Sequence, residues 1–283
     1  MALARHERGA TADLRALGSQ VHPVFMLPPV ATSLFGGLLA PSFAPSVAAL
    51  HVAATFLAVY TAHVKDGYVD FHLRDEDDDH PMTSGGCRLA LMAAAVAFLA
   101  CLAGLWTLAS PAAALVAAPM WAIGYLHAPQ LDTHPIGATM GYPAGVGLCV
   151  LGGNFAQAGR FGATALGVAG VFVVLLAGVK IVDDAADFEY DRSIDKRTVA
   201  VVLGRASARR LAYGLVGVAL VLVAGLVAVG PFPPGALAAA AAFAVVAALT
   251  RDADPALSTM LLVRGAYVML ALLAAAVWYR PLG

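Results

Sequence analysis

Long apolar runs separated by short polar breaks cover most of the chain. The runs fall at residues 24–41, 45–64, 89–109, 112–127, 136–155, 162–182, 211–229, 235–250 and 256–278. They are continuous rather than alternating, and most approach the roughly 20 residues that a helix needs to cross a bilayer. Proline marks short uncharged breaks at 40–42, 110–111 and 230–234, as expected of tight helical hairpins. The pattern predicts an all-α integral membrane bundle of nine transmembrane helices. Because the fourth and eighth runs are short, a count of eight or ten helices stays open.

Composition supports a membrane protein with lipid as its main partner. Hydrophobic residues make up 60% of the chain and charged residues 12%, about half the charged fraction of a soluble domain. We therefore expect one transmembrane domain over residues 1–283, in which residues 1–21 form a charged cytosolic lead-in rather than a signal peptide. The formal net charge of −1 gives no reason to expect a nucleic-acid partner.

The cysteines give no sign of a disulfide framework or of a zinc site. The three cysteines form no CxxC pair, and Cys101 and Cys149 lie inside apolar runs. We interpret all three as reduced residues without chemistry.

Lysine and arginine are distributed unevenly, which predicts the orientation in the membrane because cytoplasmic loops carry an excess of both. With the N-terminus inside, the cytosolic segments hold Arg5, Arg8, Arg15, Arg74, Arg88, Arg192, Lys196, Arg197, Arg205, Arg209, Arg210 and Arg251. The opposite side holds only Arg160 and Arg280. We therefore expect a multi-pass protein of the cell membrane whose N-terminus and loops after the second and sixth spans are cytosolic.

Acidic residues concentrate in two segments, both on the predicted cytosolic side. Thirteen of the 18 acids are Asp66, Asp70, Asp75, Glu76, Asp77, Asp78 and Asp79 after the second span, and Asp183, Asp184, Asp187, Glu189, Asp191 and Asp195 after the sixth. A solvated loop explains the run from Asp75 to Asp79 equally well, because that run has no helical spacing. It explains the other acids less well.

The spacing of the other acids places them on helix faces. Asp184, Asp187 and Asp191 are three and four residues apart and share one face, and Lys180 extends the same stripe one turn earlier. Like charges at this spacing destabilise an isolated helix, and carboxylates are costly near lipid, so a cation is expected to offset them.

Asp66 and Asp70 form a second, shorter ladder of carboxylates at the end of the second span. Carboxylate oxygens without histidine or cysteine suit Mg²⁺, which prefers one or two carboxylates together with substrate phosphate and water. We therefore predict that the two ladders face each other and hold Mg²⁺ against a lipid diphosphate. Lys196 and Arg197 would complete its charge balance.

These segments resemble the UbiA-type intramembrane prenyltransferases. Residues 66–85, DGYVDFHLRDEDDDHPMTSG, are similar to the family's NxxxD motif and its RPxxSG continuation. Residues 184–204, DAADFEYDRSIDKRTVAVVLG, are similar to its DxxDxxxD motif followed by KRT and a stretch ending in LG. Residues 124–137 resemble its YSxPP segment, and His22-Pro23 resembles its opening Arg-Pro. The resemblance covers nearly the whole chain, and the second motif is the specific one.

Several positions depart from the family pattern and suggest a divergent branch with its own acceptor. Asp66 stands where the family usually has Asn, and Arg74 falls on the third acidic position of the first motif. We therefore expect Asp77, or its neighbours Asp75 or Asp78, to complete that motif. The other departures are His80 before Pro81, and Gln130 and Asp132 in place of basic residues.

The resemblance implies Mg²⁺-dependent transfer of a polyprenyl group from an allylic polyprenyl diphosphate to a small-molecule or lipid acceptor. It also implies nine helices around a central cavity with a cytosolic cap. Two Mg²⁺ ions would be held by Asp66, Asp70, Asp77, Asp184, Asp187 and Asp191. The catalytic set would be Asp66, Asp70, Asp187 and Asp191, and substrate contacts would come from Lys180, Lys196, Arg197 and Tyr125.

Several alternatives stay open at the level of sequence. An aromatic quinone precursor is the first expectation for the acceptor, and a glycerol-phosphate ether lipid, an isoprenoid chain or a haem remain alternatives. Lys180 could instead form a structural ion pair with Asp184, and Tyr125 could be a core residue. A membrane cation transporter is the rival from another class, but it predicts acids near mid-span in broken helices. Here the acids lie at helix ends.

Overall fold

The computed structural model describes residues 3–194 and 196–279, so Asp195 and Arg280 lie outside the described residues. Within these ranges the chain is helical and contains no strand. The α-helices are α1 Ala10–Gly18, α2 Pro23–Leu38, α3 Pro45–His72, α4 Ser84–Leu108, α5 Pro111–Ala117, α6 Pro119–Leu126, α7 Pro135–Ala158, α8 Ala163–Ala186, α9 Phe188–Ser193, α10 Val199–Leu203, α11 Arg205–Ala228, α12 Ala236–Thr250 and α13 Pro255–Tyr279. A kinked segment, His127–Leu131, follows α6, and the backbone of Ala128 within it is extended (φ −119°, ψ 137°). The all-α fold class is confirmed.

The predicted count of nine membrane spans is not confirmed. Among the described residues, seven segments are long and apolar enough to cross a bilayer: α3, α4, α7, α8, α11, α13 and Pro111–Leu131, which combines α5, α6 and the kinked segment. The predicted first span is α2, which has only 16 residues and two internal prolines. It qualifies only together with α1, across a 70° bend, which raises the count to eight. The predicted eighth span is α12, which is too short at 15 residues.

The described chain forms two compact units, and the boundary between them passes through α7. Unit 1 contains residues 3–131 and 148–161, and unit 2 contains residues 132–147, 162–194 and 196–279. The central cavity and the cytosolic cap stay predictions.

In unit 1, α3 packs against α2, α4 and α6. The packed side chains are mostly small or aliphatic, with Phe98 and Met120 filling the larger spaces. The backbones of α2 and α7 approach so closely that a Cβ atom on Gly36 would lie 2.1 Å from the carbonyl oxygen of Val150. Small residues at helix crossings allow this kind of packing in membrane proteins.

The N-terminal lead-in is docked on unit 1 instead of extending freely. Backbone hydrogen bonds join Arg5 N to Pro81 O (2.9 Å) and Thr83 N to Leu3 O (3.0 Å). The carboxylate of Asp13 in α1 accepts hydrogen bonds from the backbone N–H groups of Leu3 and Ala4, at 3.1 and 2.9 Å. The lead-in therefore covers the start of α4 and the connection before it.

In unit 2, α8 packs against α11 and α13, and α12 packs against α13. A Cβ atom on Gly178 would lie 2.7 Å from the carbonyl oxygen of Ala212, so α8 and α11 also cross closely. Among the described spans, α8 is the most buried, because 72% of its most apolar 18-residue stretch is buried inside the protein. The second acidic motif follows directly from the end of this buried helix.

Candidate active site

The last turns of α3 carry the first acidic ladder. Asp66 and Asp70 lie four residues apart on this helix, as predicted, and both are half-buried. Arg74 lies just beyond the helix, and its Nη1 atom is 3.5 Å from Oδ1 of Asp70. The residue at the third position of the motif therefore supplies a cation to the ladder instead of a carboxylate.

The chain turns sharply after α3 and brings Glu76 inward. Asp75 has a φ of 58°, a left-handed conformation that aspartate tolerates better than most residues. The backbone N–H of Glu76 then donates to the carbonyl of Asp70 at 2.8 Å. Its carboxylate lies 3.5 Å from Arg74 with the side chain only 8% exposed, whereas Asp77 is exposed.

Glu76 is the acid that the sequence analysis did not single out. The predicted ligand Asp77 lies in the solvated part of the loop, next to Asp75 and Asp78, which are also exposed. No helical spacing extends past Leu73, where α3 is capped, so nothing in the sequence indicates which acid of the run turns inward.

In unit 2, the end of α8 holds an ion-paired triad. Nζ of Lys180 lies 2.7 Å from Oδ1 of Asp184 and 2.9 Å from Oδ2 of Asp183. The Asp184 side chain is only 5% exposed. Its second oxygen, Oδ2, is buried and has no hydrogen-bond partner among the described residues. A buried carboxylate oxygen in this state favours a bound cation or donor.

The stripe of acids continues across a break between two helices. Asp187 caps the end of α8 and precedes α9, and it is exposed. The backbone N–H of Asp191 still donates to the carbonyl of Asp187 at 2.8 Å, so the four-residue spacing keeps its helical register. Asp191 is 5% exposed.

Asp191 is a buried carboxylate in a negatively charged neighbourhood. Burial raises its pKa, and the charges of Asp184 and Asp187 act in the same direction. Lys196 and a hydrogen bond from the Thr198 hydroxyl oppose this shift. Unit 2 therefore brings three predicted metal ligands into electrostatic reach of one another, where a cation would stabilise their ionised forms.

Residues 196–198, the KRT segment after α9, contact Asp191 and its surroundings. The backbone N–H of Lys196 donates to the Asp191 carbonyl at 2.9 Å, and Thr198 caps the short helix α10. Nζ of Lys196 lies 4.0 Å from Oδ2 of Asp132, the acid that stands where the family has a base. Arg197 is exposed.

Tyr125 in unit 1 belongs to an aromatic pair beside α3. Its ring stacks on Trp121 with centroids 5.0 Å apart, and Nζ of Lys65 lies 4.8 Å from its centroid. Because Lys65 directly precedes Asp66, the pair lies next to the first acidic ladder. This arrangement offers an aromatic face and an ammonium group to a ligand.

The donor set of both segments fits Mg²⁺. The predicted ligands offer only carboxylate oxygens, which hard divalent cations prefer. In unit 2 the orphaned oxygen of Asp184 and the buried carboxylate of Asp191 are the observations that favour a bound cation.

The chain matches the sequence model of the UbiA prenyltransferase family over residues 27–260. Among solved structures it resembles a UbiA homologue from Aeropyrum pernix K1, with a TM-score of 0.73, 17% identity and coverage of 89% of this chain and 98% of that one. It also resembles a digeranylgeranylglyceryl phosphate synthase, with a TM-score of 0.71, 15% identity and coverage of 93% and 96%. A UbiA homologue from Archaeoglobus fulgidus bound to GPP and Mg²⁺ has a TM-score of 0.68, 15% identity and coverage of 93% and 97%. Comparison with curated proteins gave no match.

Proposed function

Because the chain belongs to the UbiA prenyltransferase family, we propose that it transfers a polyprenyl group from an allylic diphosphate to an acceptor with the help of Mg²⁺. The multi-pass helices place this activity in a membrane. The observation that carries the proposal is the pair of buried carboxylates in unit 2, Asp184 and Asp191, at the end of a membrane span. Homologues bound to Mg²⁺ with GPP or with DMAPP support it.

The proposal assigns the carboxylates to metal binding and the nearby cations to the diphosphate. Asp66 and Asp70 would be ligands on α3, and Asp184, Asp187 and Asp191 would be ligands from unit 2. Bound Mg²⁺ would supply charge stabilisation of the departing diphosphate. Glu76 is a stronger candidate than Asp77 for the remaining ligand of the first motif, because its carboxylate is turned inward.

Lys196 and Arg197 would contact the diphosphate directly. The backbone N–H of Lys196 is hydrogen-bonded to the carbonyl of Asp191. This bond fixes the backbone from which the Lys196 side chain extends. Lys180 is already paired with two carboxylates, and its role is to keep Asp184 charged and oriented.

The acceptor is proposed to be aromatic, as in quinone precursors. The stacked Tyr125 and Trp121 rings beside Lys65 suit an aromatic acid, since the rings can stack on it and the ammonium group can pair with its carboxylate. The same ammonium group also suits a phosphate. The structural similarity to a digeranylgeranylglyceryl phosphate synthase therefore makes a glycerol-phosphate lipid the second candidate.

The N-terminus and both acidic motifs are proposed to face the cytosol, because the lysine and arginine residues concentrate on that side. Membrane-impermeant biotinylation of an exposed Ser193→Cys variant in right-side-out and inverted vesicles tests the orientation. Labelling in inverted vesicles alone is expected, and labelling in right-side-out vesicles would reject the orientation.

The central experiment measures prenyl transfer by the purified protein in lipid nanodiscs. Radiolabelled geranylgeranyl diphosphate is supplied with Mg²⁺ and either a hydroxybenzoate or a geranylgeranylglyceryl phosphate. We expect lipid product that disappears with EDTA. We also expect that Asp187→Asn lowers the rate by at least about 100-fold, because even outer-shell partners of a metal are worth 10- to 100-fold.

The matched control is Asp252→Asn, another exposed aspartate of unit 2, which should retain the wild-type rate. Transfer that survives both EDTA and Asp187→Asn would reject the metal mechanism. Product with the glycerol-phosphate lipid alone would reject the aromatic acceptor and leave the prenyl transfer itself intact.

A further inference from the structure

Three side chains with nitrogen and sulfur donors meet in unit 1, at the end of α3 just beyond the carboxylate ladder. His72 is the last residue of α3, His80 lies in the connection after it, and Cys87 lies in the first turn of α4. One ring nitrogen from each histidine and the Cys87 Sγ atom all lie within 4.8 Å of one another. Residues 15 positions apart in sequence are thus gathered in one place by the turn between two helices.

The group is buried, and its hydrogen bonding is incomplete. His80 is 4% exposed and Cys87 is fully buried. Nδ1 of His80 faces both the N–H of Met82, at 3.2 Å, and its carbonyl oxygen, at 3.1 Å. A single ring nitrogen cannot accept from one and donate to the other in the same tautomer. Nε2 of His80 has no hydrogen-bond partner among the described residues.

A carbonyl oxygen lies between the two imidazole rings. The Met82 carbonyl is 3.1 Å from Nε2 of His72 as well as from Nδ1 of His80. Two imidazoles and a thiol meet here, and the Met82 carbonyl oxygen next to both imidazoles brings the number of available donor atoms to four. This is the number of ligands in a tetrahedral site.

We propose that His72, His80 and Cys87 bind a zinc ion that joins the end of α3 to the start of α4. Imidazole and thiolate ligands favour Zn²⁺, whereas Mg²⁺ favours the oxygen donors of the acidic motifs. Binding displaces the thiol proton and any ring proton on the coordinating nitrogens, so protons are released as the ion enters.

The proposed site changes the interpretation of the cysteines. Counting cysteines for CxxC pairs indicates no zinc site, because only one of the three takes part and its partners are histidines. The ion would fix the connection that carries Arg74 and Glu76. It would also fix residues 81–83, on which the N-terminal lead-in is docked.

The test uses the purified full chain in detergent, stripped of metal with a chelator and then titrated with Co²⁺ and Zn²⁺. We expect one ion per chain and a sulfur-to-cobalt charge-transfer band in the near ultraviolet. Excess Mg²⁺ should not abolish this band, and Zn²⁺ should. We expect Cys87→Ser to remove the band and to weaken Zn²⁺ binding by more than about 100-fold, given the 10- to 100-fold effects of outer-shell partners.

The matched control is Cys101→Ser, a second cysteine of α4 that lies outside the cluster and should keep the band. His72→Gln, at a half-buried position, provides a second variant if Cys87→Ser does not fold. A wild-type protein with no charge-transfer band, or a band that persists in Cys87→Ser, would overturn the proposal. Because the readout is spectroscopic, it is independent of prenyl transfer and can fail while the enzyme assignment stands.

Discussion

The two acidic segments offset their charge in different ways. In unit 2 the cation is built into the helix, since Lys180 lies one turn before Asp184 and contacts it at 2.7 Å. In unit 1 the cation comes from the loop, since Arg74 reaches back to Asp70 at 3.5 Å. The helical lysine is held by the buried carboxylate. The loop arginine is placed by a turn and has longer contacts.

This difference suggests that the two segments have different roles in metal binding. In unit 2, Asp184 and Asp191 are deeply buried and Lys180 already orients Asp184, which suits ligands that bind an ion early, while Asp187 is exposed. The unit 1 ladder is half-buried, and its cation, Arg74, is held by longer contacts that an arriving metal ion would break more easily. Four predictions test this comparison.

The largest effect should come from removing one predicted ligand in each segment. We expect Asp70→Asn and Asp191→Asn each to lower prenyl transfer by at least about 100-fold, since metal sites lose 10- to 100-fold even from outer-shell changes. Initial rates over a range of Mg²⁺ concentrations measure this. Asp79→Asn, at an exposed aspartate, is the matched control. Wild-type rates in either ligand variant would remove that segment from the metal site.

The next effect concerns stability in unit 2. Lys180→Ala leaves Asp184 buried without its cation, and we expect a loss of about 3 kcal/mol, the lower end of the range for broken buried pairs because the lysine is 29% exposed. Thermal unfolding in detergent measures the loss. Arg205→Ala is the control, because its pair with Glu189 is exposed and should contribute less than about 1 kcal/mol.

A double variant shows whether the orphaned charge causes the loss. Lys180→Met with Asp184→Asn removes both charges and should recover most of the stability. A double variant as unstable as Lys180→Ala would mean that the loss comes from the missing attraction of the ion pair itself rather than from an orphaned charge on Asp184.

A smaller effect is expected from the loop cation of unit 1. Arg74→Ala frees Asp70 from a competing charge, so the Mg²⁺ concentration for half-maximal activity should fall by about threefold to fivefold, since partly exposed pairs are worth at most about 1 kcal/mol. The guanidinium of Arg88 contacts Tyr68 instead of an acid, so Arg88→Ala should leave the Mg²⁺ concentration for half-maximal activity unchanged. A rise in the Mg²⁺ requirement would instead assign Arg74 to substrate binding.

The smallest effect concerns the acid that stands in place of a family base. Asp132 lies 4.0 Å from Lys196, which weakens the charge available for the diphosphate. Asp132→Asn should lower the KM for the diphosphate by about twofold, because an ion pair as long as Lys196–Asp132 contributes only about a few tenths of a kcal/mol. An increase in KM would mean that Asp132 positions Lys196 productively.

Regular helices account for what could be predicted from sequence. The spacing of Asp184, Asp187 and Asp191 predicts one stripe, and the hydrogen bond from the Asp191 N–H to the Asp187 carbonyl keeps these two residues one helical turn apart at the start of α9. Beyond α3 the chain is irregular, and the left-handed turn at Asp75 decides that Glu76 points inward. That conformation depends on local contacts and leaves no periodic signal.

The number of spans shows a second limit of sequence analysis. Hydropathy locates α2 and α12 correctly, but their lengths depend on where the helices end. α2 ends at Leu38, three residues before the end of its apolar run. α12 fills its apolar run almost completely, and that run is itself too short for a span. Similarly, the partners of Cys87 become visible only when the turn brings the two histidines together.

The pairing of residues 3–5 with residues 81–83 has a consequence for the order of assembly during synthesis. Residues 3–5 leave the ribosome about 80 positions before their hydrogen-bond partners, a delay of about 4 to 16 s at typical elongation rates. Until then α1 cannot dock, and its apolar side remains available to the membrane surface or to a chaperone. Residues 3–5 therefore reach their final place only after α3 and the connection that follows it have been made.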